Sequence, residues 1–300
     1  MHVALVSNPT ARAGASTHAA ARAAARLRGH GIRTTVISGG SAAESQQLLR
    51  AAVTSDADAV VVAGGDGTVH LALQEVAGTG IPLGIIPVGT GNDMATAAGI
   101  TELDVDRAAD TVATGATRML DLARVTRADG STEYFGTVLA SGFDSRVNDR
   151  ANEMRWPRGG SRYTIAILTE FLALHGVPFE VALELSDGTA ERIDGDLVMA
   201  TVGNGPTYGG GIPICPGADP SDGLLDVTLV RPAGRARLLR LLPRVYRGTH
   251  ITAPEVSTFR VRSVRLASPG VTAYADGDPI GALPLTVDIA PGALTMFAPR

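Results

Sequence analysis

The sequence predicts an α/β amino-terminal domain followed by a mostly antiparallel, β-rich carboxy-terminal domain of sandwich type, and three observations carry that expectation. Strand and helix patterns alternate, with short Gly-bearing connections, as far as about residue 122. Beyond that point strand follows strand with Gly and Pro turns between them, the pattern of an antiparallel sandwich or barrel. Between residues 58 and 93, two short apolar runs each end in a small-residue loop, Gly64-Gly65-Asp66-Gly67-Thr68 and Pro87-Val88-Gly89-Thr90-Gly91-Asn92-Asp93. Two strand-loop-helix units of this kind bring both loops to one edge of a parallel sheet. The domains are expected at 1–122 and 123–289.

Each element has its own local reason. His2–Ser7 and Ile32–Ile37 are short apolar runs that read as strands, and the alanine-rich helix Thr17–Arg28 between them stops at Gly29 and Gly31. A helix follows from about Ala42 to Val53. Ala59–Ala63 is the Val-rich run of a strand buried on both faces, and a helix covers about Thr68–Ala77 before the strand Leu83–Ile86. Met94–Ala98 and Leu103–Thr114 read as helices and Thr117–Arg124 as a strand carrying Asp121. In the second half the strands are Glu133–Ala140, Phe179–Leu185, Asp196–Val202, Leu225–Val230, Thr258–Ala267, Val271–Asp276 and Leu294–Pro299. The helix Ser161–His175 is apolar over most of its surface, so it is either buried or borders an apolar cavity.

Composition excludes several classes. A formal net charge of −4 leaves no basic footprint, so nucleic acid is not an expected partner. All 26 basic residues are arginine, which removes the lysines that P-loop enzymes and protein kinases place on phosphates. Phosphate handling would fall to backbone amides, arginine and metal. Cys215 alone makes neither an internal disulfide nor a zinc cluster, so a reducing cytoplasm is expected. The first apolar run is too short for a signal peptide, and no stretch approaches the roughly 20 residues of a membrane-spanning helix. Membrane contact would be peripheral. The stretch with Arg155, Trp156, Arg158 and Arg162, and the run Arg231–Arg247, mix arginine with apolar residues. Both suit an anionic bilayer surface, and the second also reads as a solvated helix with an apolar underside interrupted by Pro243.

Chemistry concentrates in the paired loops. Gly64, Gly65 and Gly67 let the backbone approach a ligand closely, and amides at the start of the next helix face an anion. A carboxylate beside such a cradle repels phosphate unless a divalent cation lies between them. Asp66 and Asp93 are therefore assigned to a magnesium-bound nucleotide. A lone glycine loop is equally well a tight turn; two with aspartates at this spacing favour the ligand.

The pair GGDGT and PVGTGND resembles the diacylglycerol kinase catalytic domain family, bacterial lipid kinases related to sphingosine kinases and in one superfamily with NAD kinases. The stretches GNGPTYGGG (203–211) and PGADPSDGLLDV (216–227) are similar to further family motifs. The resemblance implies a diacylglycerol kinase or NAD kinase-like fold in which residues 290–300 return to the first domain. It implies that Asn8, Pro9, Thr10 and Ser38 line the nucleotide pocket. Gly64, Gly65, Asp66, Gly67, Thr68, Val69, His70, Thr90 and Asn92 would bind the nucleotide. A structural magnesium ion is implied at Asp219, Asp222 and the Leu224 carbonyl, and an acceptor base at Asp278, where relatives carry glutamate.

The activity so implied is phosphotransfer to an alcohol: the γ-phosphoryl group of ATP, with Mg2+, passes to a lipid at the membrane surface. Diacylglycerol giving phosphatidic acid is the expected pair, with Asp278, Asp66 and Asp93 as catalytic residues. Other acceptors stay open, namely a sphingoid base, phosphatidylglycerol or NAD. So do a nonenzymatic nucleotide or lipid sensor and a homodimer. The expected place is cytoplasmic, peripheral at the inner membrane face.

Overall fold

The structure, a computed structural model, describes residues 1–8, 14–100, 104–154, 156 and 160–299. Strands β1 (His2–Ser7), β2 (Arg33–Ile37), β3 (Ala59–Gly64) and β4 (Leu83–Pro87) lie parallel in the order β2-β1-β3-β4. Successive β3 side chains serve opposite faces, as the pleat requires. Val60 and Val62 pack with Leu49, Leu73 and Met94; Ala59 and Val61 pack with Ala20, Leu27 and Val112. The helices divide accordingly: α2 (Ala42–Ser55), α3 (Asp66–Val76) and α4 (Asp93–Ala97) cover one face, α1 (Ala15–Gly29) and α5 (Val105–Thr114) the other.

Caps set the helix starts. The Ser41 hydroxyl accepts from the Glu44 amide at α2, and the Asp104 carboxylate accepts from the Arg107 amide at α5. Helix α3 begins at Asp66, two residues before the expected start, because Gly65 is extended and serves as its cap. That offset puts the loop aspartate inside the first turn of the helix.

The second half contains β5 (Thr117–Arg127), β6 (Thr132–Phe135), β7 (Val138–Gly142), β8 (Val177–Leu185), β9 (Ala190–Leu197), β10 (Met199–Gly203), β11 (Leu225–Val230), β12 (Val256–Ala267), β13 (Thr272–Ala275), β14 (Asp278–Ala282) and β15 (Leu285–Phe297). The order β14-β13-β7-β10-β11-β12-β15 is antiparallel and leads onto β4. β15 pairs antiparallel with β5 and touches β4 in parallel at Met296–Leu83, so one sheet runs through both halves. Its buried residues divide to match. Leu285 and Val287 join Phe135 and Phe179 in the sandwich core, whereas Leu294 and Met296 join the core under α2 and α3.

Two expected strands are each two. Glu133–Ala140 breaks at Gly136 and Thr137, whose amides donate to Asp276 instead of to a neighbouring strand. Asp196–Val202 breaks at Val198, where the chain leaves its pairing with β8 and begins pairing with β7.

Three helices stand beside this sheet: α6 (Phe143–Glu153), α7 (Gly160–Leu172) and α8 (Arg235–Val245), the last continuing through Pro243. Phe171, Leu238 and Leu241 pack with Val138, Met199 and Val230, which anchors α7 and α8 to the sheet. Among the described residues no helix is long and apolar enough to cross a membrane.

Candidate active site

The two glycine loops meet backbone to backbone. A Cβ on Gly89 would lie 2.6 Å from the Gly65 Cα, and one on Gly65 would lie 3.0 Å from the Gly89 Cα. Only glycine fits both places. Behind them the Val88 amide donates to the Gly64 carbonyl over 3.1 Å. The loops wall a cavity of about 370 Å³ together with Asn8, Ser16, Thr68 and Thr90. The Asp66 and Gly67 amides precede the first bonds of α3, which Thr68 and Val69 make to the Gly65 carbonyl, and belong to the positive end of the helix dipole. Such a cradle accepts phosphate.

Asp66 stands at the rim. Its Oδ2 accepts from the Asn92 amide over 2.8 Å, while Oδ1 is buried with no hydrogen-bond partner. Burial first, and then the charge of Asp93, push this carboxyl up to about 6. A cation at Oδ1 would relieve both causes, so the site's chemistry fits a phosphate-borne magnesium ion.

The neighbouring loop residues do other work than expected. Asp93 is buried, and its oxygens accept from the amides of Gly210 and Gly211 at 2.9 Å and from Thr207 at 3.3 Å. It therefore ties the second glycine loop to the tyrosine-glycine loop of the β-rich half. Asn92, at φ 54°, turns its side chain back on Gly89, accepting from the amide at 2.9 Å and donating to the carbonyl at 3.2 Å. Val69 points into the core under α3. Ser38 is exposed at the end of β2 and does not line the cavity. Pro9 and Thr10 lie outside the described residues, as do Arg155 and Arg158 of the basic stretch.

Facing Asp66 is the turn Asp276-Gly277-Asp278 between β13 and β14. A Cβ on Gly67 would lie 3.4 Å from Asp278 Oδ2, so this carboxylate sits directly against the phosphate loop. Burial raises the Asp278 pKa, the charge of His70 lowers it, and Asp276 and Glu133 raise it. Asp276 is itself buried at φ 52° and accepts from the amides of Gly136 and Thr137 at 2.9 Å each. Burial raises its pKa, but bonds from His70, Thr137 and Gly136 outweigh that, and it is held low.

His70 does not line the phosphate cavity. It is buried, with Nδ1 3.2 Å from Asp276 and Nε2 2.8 Å from Glu133. Burial lowers its pKa, yet the two carboxylates win and bring it to about 10, so the ring is a cation. From α3 its ring reaches both the facing turn and β6.

A second cavity, about 1540 Å³, begins at Asp66, Thr90 and Gly91, the same residues that border the phosphate cavity. It runs past Asp276 and Gly277 between α6, α7 and α8, where Phe143, Val147, Ile167, Phe171, Leu238 and Leu241 line it. Helix α7 thus borders an apolar space with one face and bares Ile165, Leu168 and Leu172 on the other. Inside the cavity Asp144 bonds to Tyr208, while its Oδ2 is buried without a partner. Burial pushes the Asp144 carboxyl up to about 6, despite the tyrosine.

The acidic turn is arranged differently from expectation. Asp219 closes its own turn, accepting from the Ser221 amide at 3.0 Å and hydroxyl at 2.6 Å. Asp222 accepts from the Leu224 amide at 3.0 Å and is ion-paired with Arg260, which also stands 3.8 Å from Asp226. The implied magnesium set of Asp219, Asp222 and the Leu224 carbonyl holds two carboxylates, of which Asp219 is engaged by Ser221 and Asp222 by Arg260. Buried Asp121 organises the turn, accepting from the amides of Gly223 and Gly292 at 2.7 Å and donating its own amide to the Pro220 carbonyl.

Sequence reasoning missed the His70, Glu133 and Asp276 cluster, Asp121 as an organiser, and Asp144. Asp121 carried a signal, a lone carboxylate in the apolar strand run Met119–Ala123. The others had none, because their partners come from separate strands.

Comparison with known proteins gives a consistent result. Residues 2–125 match the diacylglycerol kinase catalytic domain, and residues 137–298 match the YegS C-terminal NAD kinase beta sandwich-like domain. A "Diacylglycerol kinase" of Mycobacterium tuberculosis is 48% identical over 298 residues, covering 99% of this chain and 95% of the relative. A "Probable lipid kinase YegS-like" of Stenotrophomonas maltophilia is 30% identical over 282 residues, covering 91% and 89%. Among solved structures, a diacylglycerol kinase from Bacillus anthracis superposes with a TM-score of 0.70 at 18% identity, covering 100% of this chain and 97% of that one. An NAD kinase from Archaeoglobus fulgidus in complex with ATP has a TM-score of 0.54 at 14% identity, covering 99% and 93%.

Proposed function

The chain belongs to the diacylglycerol kinase catalytic domain family and is a phosphotransferase with an alcohol acceptor; we propose that it moves the γ-phosphoryl group of MgATP to the hydroxyl of a membrane lipid. Diacylglycerol, named in its mycobacterial relative, is the acceptor that reading favours, with phosphatidic acid and ADP as products. The observation that carries the proposal is the junction of the two cavities. A phosphate-sized space and a long apolar one share Asp66, Thr90 and Gly91, so a triphosphate in the first and a lipid in the second meet at that rim.

The chain's own groups divide the labour. The α3 amides and the paired glycine loops would orient the phosphates, and Asp66, with its unpartnered oxygen, would hold a magnesium ion borne by the nucleotide. That ion, when bound, neutralises charge on the transferring phosphoryl group. Asp278 accepts the proton from the acceptor hydroxyl as its oxygen bonds to the γ-phosphorus and the bond to the β-phosphate oxygen breaks. Apolar walls hold the acyl chains and exclude water from the reacting end.

An outward surface supports collection from a bilayer. Leu168, Leu172, Leu239 and Tyr246 are exposed on α7 and the end of α8, with Arg240 and Arg247 exposed alongside. Apolar residues flanked by arginine suit an anionic lipid interface. Incubating the purified chain with labelled ATP, magnesium, a lipid panel and NAD is the test. Labelled phosphatidic acid is the expected product; labelled NADP without any labelled lipid would overturn the proposal.

A further inference from the structure

We infer that His70 is the positioning residue for the acceptor base: held between Glu133 and Asp276, it fastens the Asp276–Asp278 turn to α3 and sets how far Asp278 stands from the phosphates. The inference rests on the reading of Asp278 as the base.

The geometry is a closed ring of contacts around that turn. His70 lies one helical turn after Asp66, at i+4 on the same side of α3. Its Nδ1 reaches Asp276 at 3.2 Å, and its Nε2 reaches Glu133 on β6 at 2.8 Å. Glu133 is ion-paired with Arg127 on β5, and Arg127 Nε donates to the Ile280 carbonyl on β14 over 2.7 Å. The ring therefore leaves α3, passes through β6 and β5, and returns to the strand that begins at Asp278.

The turn fixes its own backbone but not its distance from α3. Asp276 at φ 52° and Gly277 at φ 91° are the two left-handed residues of a tight hairpin between β13 and β14, a form that Asp-Gly favours. An aspartate also has a short reach, so a base placed by backbone has to be placed closely. Asp278 Oδ2 would meet a Cβ on Gly67 at 3.4 Å, an ordinary contact distance, so the carboxylate already lies against the first turn of α3.

Charge adds a second effect. The groups facing Asp278 are His70, Asp276 and Glu133, with Arg127 beyond Glu133. Of the three, only His70 favours the ionised base, since both carboxylates oppose it. A neutral side chain at position 70 removes that help and leaves the carboxylates facing each other.

The test compares native chain with His70→Asn, Asp278→Glu and the double variant, assayed with MgATP and vesicles of diacylglycerol in phosphatidylglycerol. His70→Asn is expected to lower kcat roughly 10- to 100-fold, to leave KM for ATP within about threefold, and to move the acid limb of the kcat profile to higher pH. Asp278→Glu alone is expected to change kcat, because the turn is held and the longer side chain carries the carboxylate to a different distance from the phosphates. In the His70→Asn background the turn is free to readjust, and the same substitution is expected to have a smaller effect than in the native chain. A His70→Asn enzyme within twofold of native kcat, or effects that simply multiply in the double variant, would overturn the inference. If His70→Asn melts below the assay temperature, Glu133→Gln serves instead, being partly exposed; the same fall in kcat at constant KM is expected, and native kcat is again fatal. A native chain that labels no lipid would sink the functional reading, an outcome distinct from an active native chain indifferent to position 70.

Discussion

The glycine-loop end of the cleft, proposed for phosphate, is made of backbone, and the apolar end, proposed for the acceptor, of side chains. At the first, two glycine loops touch at Gly65 and Gly89 with no room for a Cβ, and their shape comes from a contiguous motif. At the second, apolar residues of three helices and several strands enclose about 1540 Å³ without any shared motif. A backbone cradle has one workable form, so single substitutions there should end function; an apolar enclosure spreads its contacts and should tolerate change in steps.

Asp66→Asn tests the first half of that contrast most severely. On the proposed reading transfer should fall by about a thousandfold or more, since the partnerless oxygen that would hold the nucleotide's cation is lost. The fold should hold or gain stability, because asparagine still accepts from the Asn92 amide and the buried charge at position 66 is removed. Steady-state kinetics beside a thermal melt check both. A variant that lost activity only by unfolding would break the comparison.

Gly89→Ala comes next in size. Its Cβ would sit 2.6 Å from the Gly65 backbone, so the loops must part. Calorimetric titration with MgADP should show affinity weakened roughly 10- to 100-fold, while the apolar cavity, built elsewhere, keeps its lipid affinity. Filling the other cavity gives the mirror image. Leu241→Trp should raise KM for the lipid roughly tenfold and leave MgADP affinity within about twofold.

The same contrast explains what was legible. The α/β half, the β-rich half and the loops around Asp66 and Asp278 follow from short-range patterns, since strands, glycine turns and helix starts are written in consecutive residues. Roles set by tertiary partners were not. Asp93 and Asn92 sit inside a phosphate-loop motif, yet one binds the amides of Gly210 and Gly211 and the other closes its own turn. His70 looked like a ligand contact because it follows the GGDGT loop; its partners are 63 and 206 residues away. The acidic turn at Asp219–Asp222 reads as a cation loop, and the partner Arg260 that Asp222 takes comes from another strand.

Asp144→Asn has the smallest expected effect and compares the two ends with one kind of substitution. In the folded chain burial pushes the Asp144 carboxyl from 3.8 up to about 6. A group whose folded pKa is raised contributes stability in full below its unfolded value and loses it as pH climbs through the folded value. Native and variant chains should therefore melt together near pH 4, diverge between roughly pH 4 and 6, and differ above that by at most about 3 kcal/mol in the variant's favour. Asp66 and Asp226 are pushed in the same direction and to the same value, but both remain in both proteins and cancel in the difference. Tyr208 keeps an acceptor in the asparagine oxygen, so the loop beside Asp93 should not move. Turnover should stay within about threefold of native, against a loss of about a thousandfold for Asp66→Asn. Melts across pH 4 to 8 for both asparagine variants decide the matter: a difference at Asp144 that does not grow with pH would mean that its charge is compensated in the cavity, and the acceptor end would then be as polar in its design as the phosphate end.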